Sequence, residues 1–331
     1  MLRHQTKERM KGNVSHAPTA EPLVPVCLFV LMLGEGAWRS HFVPQFVASA
    51  GRSSPSPFEL LLVGNPGPSP ELKLAENMRF VNMSTSSYKS RLEGFLGSPV
   101  GRQGDQPMTS DVRPLFPAMY PKLFSGCEWI GWIEYDMLVS SYHLGLLSAS
   151  LRGCPASLLP GLLLGASKDH VRRFFHHSSP PWSWGPITLM RADAYWNQIL
   201  PVMRLPEQMR ILQQVFGQQD AASFDEWGEF FHPIGYNASF SGFIEKARQL
   251  TNKITSVPEE QLLGNCAGVQ CIKYTPSSSR AHCHLQLSQH GSHIFVDEQE
   301  TLFCHFRERK HDPQDPCSTN AAACGRLRTR Q

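Results

Sequence analysis

Apolar and polar positions along this chain change period several times, and each change predicts an element. Val24 to Leu33 is an almost unbroken apolar run, as expected of a strand buried on both faces. Trp38 to Ala50 carries apolar residues at helical spacing, with Phe42, Val43, Phe46 and Val47 on one face. Phe58 to Val63 is a second buried strand, closed by the turn-forming tetrapeptide Gly64-Asn65-Pro66-Gly67. Met78 to Met83 is a third strand, followed by a polar helix through Tyr88 to Leu96. Gly97 to Gln106 is a loop, Leu115 to Phe124 a short helix, and Gly126 to Ser140 a fourth strand. Strand–helix–strand repetition of this kind predicts an α/β fold with a mostly parallel central sheet and helices on both faces.

The second half is less regular. Ser178 to Trp184 is a Pro/Ser/Trp loop, Gly185 to Met190 a strand, Arg191 to Met203 a helix and Leu205 to Phe216 an amphipathic helix. Cys266 to Gln289 is rich in Cys, His and Ser, and Ile294 to Phe306 has the pattern of two short strands. The expected organisation is a loose segment over 1–22, one globular domain over 23–311 and a disordered tail over 312–331.

Chemistry concentrates at Gly126 to Ser140. The apolar run Trp129-Ile130-Gly131-Trp132-Ile133 meets two acids one residue apart, Glu134 and Asp136, and then turns apolar again at Met137-Leu138-Val139. An ionised carboxylate in such a setting is costly unless a cation or donor compensates it. The commonest partner for such a pair is a divalent metal carrying a phosphorylated ligand. In open α/β sheets ligands bind beyond the carboxyl ends of strands, which is where these acids are expected.

Composition narrows the picture. The chain has 331 residues, 41% hydrophobic and 18% charged, which describes a globular protein rather than a disordered one. A formal net charge of +3 is too small to argue for nucleic acid, and the basic runs Arg3 to Lys11 and Arg307 to Arg330 read as solvated tails. Nine cysteines without framework spacing suit a mostly reduced protein, without excluding the secretory pathway. Sequons at Asn13, Asn82 and Asn237 are short patterns that arise easily by chance. Leu23 to Leu33 is about half the roughly 20 apolar residues a membrane-crossing helix needs, and it reads better as a buried strand. No anchor is visible, and a Golgi/ER or a cytoplasmic setting stays open.

Six elements in order carry a resemblance. Val24 to Ala50 provides a strand and helix, Asp111-Val112-Arg113-Pro114 follows, and then the strand with Gly131-Trp132, Glu134 and Asp136. After these come Gly185-Pro186-Ile187-Thr188-Leu189-Met190-Arg191, Phe224-Asp225-Glu226-Trp227, and Phe303-Cys304-His305-Phe306 with Lys310 close behind. Together they resemble a family of GT-A-type, glycosyltransferase-like proteins related to polysaccharide biosynthesis, over about residues 24 to 310. The family pattern has Lys where this chain has Arg113, and Asp where it has Glu134.

The resemblance implies a GT-A-like, Rossmann-like fold and sugar transfer from a nucleotide-sugar donor to a glycan or other hydroxyl acceptor. It implies Mn²⁺ or Mg²⁺ on the donor diphosphate, held by Glu134 and Asp136 with His305 as accessory ligand. Arg113 and Lys310 would meet the diphosphate, with Asn65 and Trp132 also counted among the donor-binding residues. Asp225 and Glu226 would serve as acceptor-binding or general-base carboxylates.

Each assignment has a plainer alternative. Glu134 could face solvent while Asp136 alone is buried and caps the next helix. His305 could be structural, and Arg113 and Lys310 could form surface salt bridges. Asp225 and Glu226 suit a helix N-terminus, and turn chemistry alone accounts for Asn65. Cys266, Cys271, His282, Cys283 and His284 lack finger spacing and read as a variable loop with unpaired thiols. For the whole chain, the alternatives are a non-catalytic domain of the same fold that binds a nucleotide sugar or glycan, and an interaction module using Trp182 to Trp184.

Overall fold

The computed structural model describes residues 26–40, 42–51, 58–101, 112–139, 187–217 and 240–251, together with the backbone course of four later strands. Strand β1 (Val26–Leu33) is buried along its whole length. Its side chains alternate strictly: Cys27, Phe29, Leu31 and Leu33 face one core, while Val26, Leu28, Val30 and Met32 face another. A strand with two apolar faces must be covered on both. Helix α1 (Glu35–Trp38) follows β1, and helix α2 (Phe42–Ala50) packs Val43, Phe46 and Val47 against the even-numbered face. Helix α3 (Thr85–Leu96) packs Tyr88, Leu92 and Leu96 against the odd-numbered face.

Strands β2 (Phe58–Asn65), β3 (Met78–Asn82) and β4 (Trp129–Ile133) join β1 in parallel, and β6 (Ile187–Arg191) closes the sheet antiparallel to β4. The order is β3-β2-β1-β4-β6. The expected mostly parallel α/β sheet is present. The chain runs outward from β1 to β3 and then returns to the other side of β1, so β1 and β4 flank the topological switch point. That is where open α/β sheets bind ligands, outside the carboxyl ends of the strands. No helix among the described residues is long and apolar enough to cross a membrane.

Several expectations change. The fourth strand is not continuous: β4 ends at Ile133, and a separate strand β5 (Met137–Val139) enters a second sheet. Charge breaks the run, because Glu134 and Asp136 sit in the turn between the two strands. In the second sheet β10 (Gln299–His305) pairs antiparallel with β5 and β9 (Ile294–Val296) and parallel with β7 (Gln270–Tyr274), while β8 (Leu285–Leu287) pairs with β9. Part of the stretch expected to be a variable loop, Cys266 to Gln289, is therefore strand.

The helix expected over Leu115 to Phe124 is three short helical segments: Arg113–Leu115, α4 (Phe116–Met119) and Pro121–Phe124. Each has a proline at its first or second position, and proline lacks the N–H needed to continue the preceding turn. Strand β2 continues through Gly64 and Asn65, and the turn begins at Pro66, which follows a cis peptide bond. The helix after β6 starts at Ala192 and passes through a π turn at Tyr195–Ile199 before Leu200–Met203. Helix α5 (Pro206–Gly217) matches the amphipathic pattern, and α6 (Phe240–Thr251) is an additional helix that buries Phe240, Phe243, Ile244 and Ala247.

The cysteines also depart from expectation. Cys27 of β1 and Cys127, just before β4, form a disulfide across 100 residues of sequence. Spacing could not reveal it, because parallel pairing of β1 with β4 brings the two cysteines together. Two glycines serve close packing. A Cβ at Gly131 would meet the Thr188 carbonyl oxygen of β6 at 1.9 Å, and one at Gly64 would meet the Met32 carbonyl oxygen of β1 at 2.1 Å.

Candidate functional site

The turn between β4 and β5 gathers the acidic pair. Within β4, Ile130 and Trp132 face the core shared with α3 and α4, while Trp129 and Ile133 face the core shared with α2. Beyond Ile133 the chain leaves the sheet. Glu134 meets Arg113, whose Nη2 donates to Glu134 Oε1 at 2.7 Å. The pair is largely withdrawn from water, with side-chain exposures of 7% for Arg113 and 19% for Glu134. Neither a solvent-facing Glu134 nor a surface salt bridge at Arg113 describes this contact. Asp136 is 1% exposed and directly precedes β5.

Arg113 is held in place from behind. The 3₁₀ turn Arg113–Leu115 carries Pro114, whose carbonyl oxygen accepts a buried hydrogen bond from Tyr195 Oη at 2.7 Å. Strand β5 is fixed by α2, where Ser49 Oγ accepts from the Val139 N–H at 3.1 Å and donates to the Phe46 carbonyl at 3.0 Å. In the antiparallel pairing of β10 with β5, His305 lies opposite Met137, so its backbone is beside the residue that follows Asp136. Two residues far apart in sequence thus end at one corner. The His305 side chain lies outside the described residues.

Sequence reasoning did not single out two tyrosines here: Tyr88, which is close to Arg113 and Tyr120, and Tyr120, whose ring has the Arg91 guanidinium over it at 5.9 Å. The hydroxyls of Tyr88 (α3) and Tyr120 (after α4) are buried and make no hydrogen bond among the described residues. Burial raises the Tyr88 pKa well above its usual value; nearby Tyr120 adds to the rise and Arg113 opposes it. Burial likewise raises Tyr120, against a smaller opposing effect of Arg91. Burial also raises Tyr195, so all three keep their protons through the neutral range. A signal was available in the sequence: Tyr88 and Leu92 share an apolar helical face in an otherwise polar helix.

The remaining candidates divide. Asn65 ends β2 on the same carboxyl edge, is exposed, and donates from Nδ2 to Asn82 Oδ1 of β3 at 3.0 Å. Close to it, the Trp38 indole lies over Gly64, and its buried Nε1 makes no hydrogen bond among the described residues. Trp132 is 0% exposed and packs against Phe29 and Phe240 at centroid distances of 6.3 and 5.8 Å, so in this structure it is core rather than a donor-facing ring. Asp225, Glu226 and Lys310 lie outside the described residues, as do the Trp182 to Trp184 loop and four members of the Cys/His cluster, Cys266, His282, Cys283 and His284. Cys271 lies on β7, of which only the backbone is described.

Among the described residues no group of three His, Cys, Asp or Glu side chains stands in metal-binding arrangement. The donor chemistry still suits a hard divalent cation. Glu134 and Asp136 are carboxylates within one turn. A carboxylate has about four lone-pair sites over two oxygens, so the Arg113 contact at Oε1 does not exhaust Glu134.

No protein-family model matches the chain, and no curated protein matches its sequence. Among solved structures, the crystal structure of mouse xyloside xylosyltransferase 1 in its apo form aligns over 78% of this chain and 90% of its own, at 10% sequence identity and a TM-score of 0.42. At that identity and score, the likeness decides nothing about chemistry.

Proposed function

We propose that this chain is a GT-A-type glycosyltransferase that moves a sugar from a nucleotide-sugar donor to a glycan or other hydroxyl acceptor. The observation that supports it most is the acidic turn Glu134-Tyr135-Asp136 at the carboxyl end of β4, beside the topological switch point, with the buried Arg113 guanidinium on Glu134. In this reading Glu134, Asp136 and His305 would hold Mn²⁺ or Mg²⁺. When bound, the ion supplies positive charge against the negative charge that builds on the departing diphosphate.

The protein's own groups then have distinct tasks. Arg113 neutralises Glu134 in part and fixes its orientation, while Tyr195 fixes Arg113 through Pro114. Asn65 belongs to the nucleoside end of the donor and Lys310 to its diphosphate. Asp225 or Glu226 accepts the proton of the acceptor hydroxyl if the transfer inverts configuration.

Thermal shift with a panel of nucleoside diphosphates, with and without Mn²⁺, tests this. Stabilisation that requires the metal and disappears in Asp136→Ala is expected, on the order of 2.7 kcal/mol at a hundredfold excess over Kd. The Arg113–Glu134 contact favours one second reading, a non-catalytic binder in which Arg113 supplies the cation. It predicts stabilisation by the same nucleotides without metal. No response to any nucleotide would count against both.

A further inference from the structure

We infer that Asn82 is an N-glycosylation site and that the protein matures in an oxidising, glycosylating lumen. This is independent of the glycosyl-transfer reading.

Two unrelated observations meet here. The first is the Cys27–Cys127 disulfide, with Cys27 only 4% exposed. Buried disulfides form and persist in secretory compartments and are rare where thiols are kept reduced. The second is the sequon Asn82-Met83-Ser84. A sequon alone is a weak pattern, so its setting in the fold decides its worth. Asn82 is exposed at the last position of β3, which pairs with β2 alone among the described strands and so ends the sheet. Asn82 Oδ1 accepts from Asn65, while Nδ2, the atom that carries a glycan, makes no hydrogen bond among the described residues. A substituted amide keeps that carbonyl oxygen, so the glycan and the Asn65 contact are compatible.

In the transfer, Asn82 Nδ2 bonds to the anomeric carbon of a lipid-diphosphate-linked oligosaccharide. The bond from that carbon to the diphosphate oxygen breaks, the lipid diphosphate leaves with its electron pair, and the amide loses one proton. The sequon hydroxyl, Ser84 Oγ, caps α3 in the folded protein by accepting from Ser87 N–H at 3.1 Å. Modification therefore precedes closure of that cap. Once attached, the glycan shields the open edge of β3, where unpaired backbone groups would otherwise invite strand addition.

The test is full-length expression in mammalian cells, with site mapping by amidase-dependent conversion of Asn82 to Asp and non-reducing peptide analysis of Cys27 and Cys127. The expected result is an occupied Asn82, a linked Cys27–Cys127 peptide, loss of one glycan in Asn82→Gln and retention in Ser84→Thr, which keeps both the sequon and the cap. An oxidised disulfide with unmodified Asn82 overturns the site. Reduced Cys27 and Cys127 overturn the compartment, whatever happens at Asn13 or Asn237.

Discussion

Replacing Arg113 with Met should destabilise the fold far more than an ordinary surface change. Breaking a buried ion pair from one side costs about 3–5 kcal/mol, because the other charge stays behind without its partner. Here Arg113 is 7% exposed but Glu134 is 19% exposed, so water screens part of the abandoned carboxylate. The expected loss is about 2–3 kcal/mol, which in a domain of this size is roughly 4–12 °C in Tm. Glu134→Gln should cost a similar amount, because it leaves the guanidinium facing a neutral amide. The double variant should be less destabilised than the sum of the two, by about 1–2 kcal/mol of coupling. Urea denaturation of all four proteins measures the cycle. Additivity within about 0.5 kcal/mol would refute the claim that the two charges depend on one another. Repeating the cycle with Mn²⁺ adds a second readout: if Glu134 is a ligand, Arg113→Met should be stabilised by Mn²⁺ more than the unaltered protein is, because the site has become more negative.

Gly131→Ala should prevent normal pairing of β4 with β6, since its Cβ would stand 1.9 Å from the Thr188 carbonyl oxygen; soluble yield and circular dichroism should both collapse, and a well-folded variant would contradict the register. Cys27→Ser should lower stability by about 4–5 kcal/mol on the chain-entropy estimate for a closed loop near 100 residues, read as a denaturation midpoint that reductant no longer shifts. Stability should fall at alkaline pH. Tyr88 and Tyr195 hold their protons in the fold well above the usual tyrosine range, so this contribution is complete below about pH 10 and is lost as pH rises through their raised folded values. Tyrosinate absorbance from these residues should therefore appear together with loss of circular dichroism, and ionisation preceding unfolding would contradict their burial.

The candidate site was legible in fragments. Glu134, Asp136 and Arg113 were visible as charge where the apolar pattern or the motif order made charge costly. Their relation was not: Arg113 was expected on a ligand or at the surface, and it lies buried against Glu134. Trp132 had the same composition signal as a stacking residue, yet packing against Phe29 and Phe240 makes it core. Tyr88 and Tyr195 carried no motif, because what matters is their position, Tyr88 close to Arg113 and Tyr195 on the Pro114 carbonyl, rather than their sequence neighbourhood.

By itself, the sequence determined the elements whose cause is local. Two-sided apolar runs made β1 and β2 central strands, period-3.6 stripes made α2 and α5 amphipathic, and prolines at 114, 117 and 121 dictated three helical segments where one was expected. Only the tertiary structure decided what joins residues across long separations. Parallel pairing of β1 with β4 made a disulfide of Cys27 and Cys127. The transfer of the chain from β4 in one sheet to β5 in another turned a single apolar stretch into two strands with both acids in the turn between them. The pairing of β10 with β5 brought His305 beside that turn. Periodicity reports which face of an element is buried, but not which other element buries it, and that choice is made by packing of the whole chain.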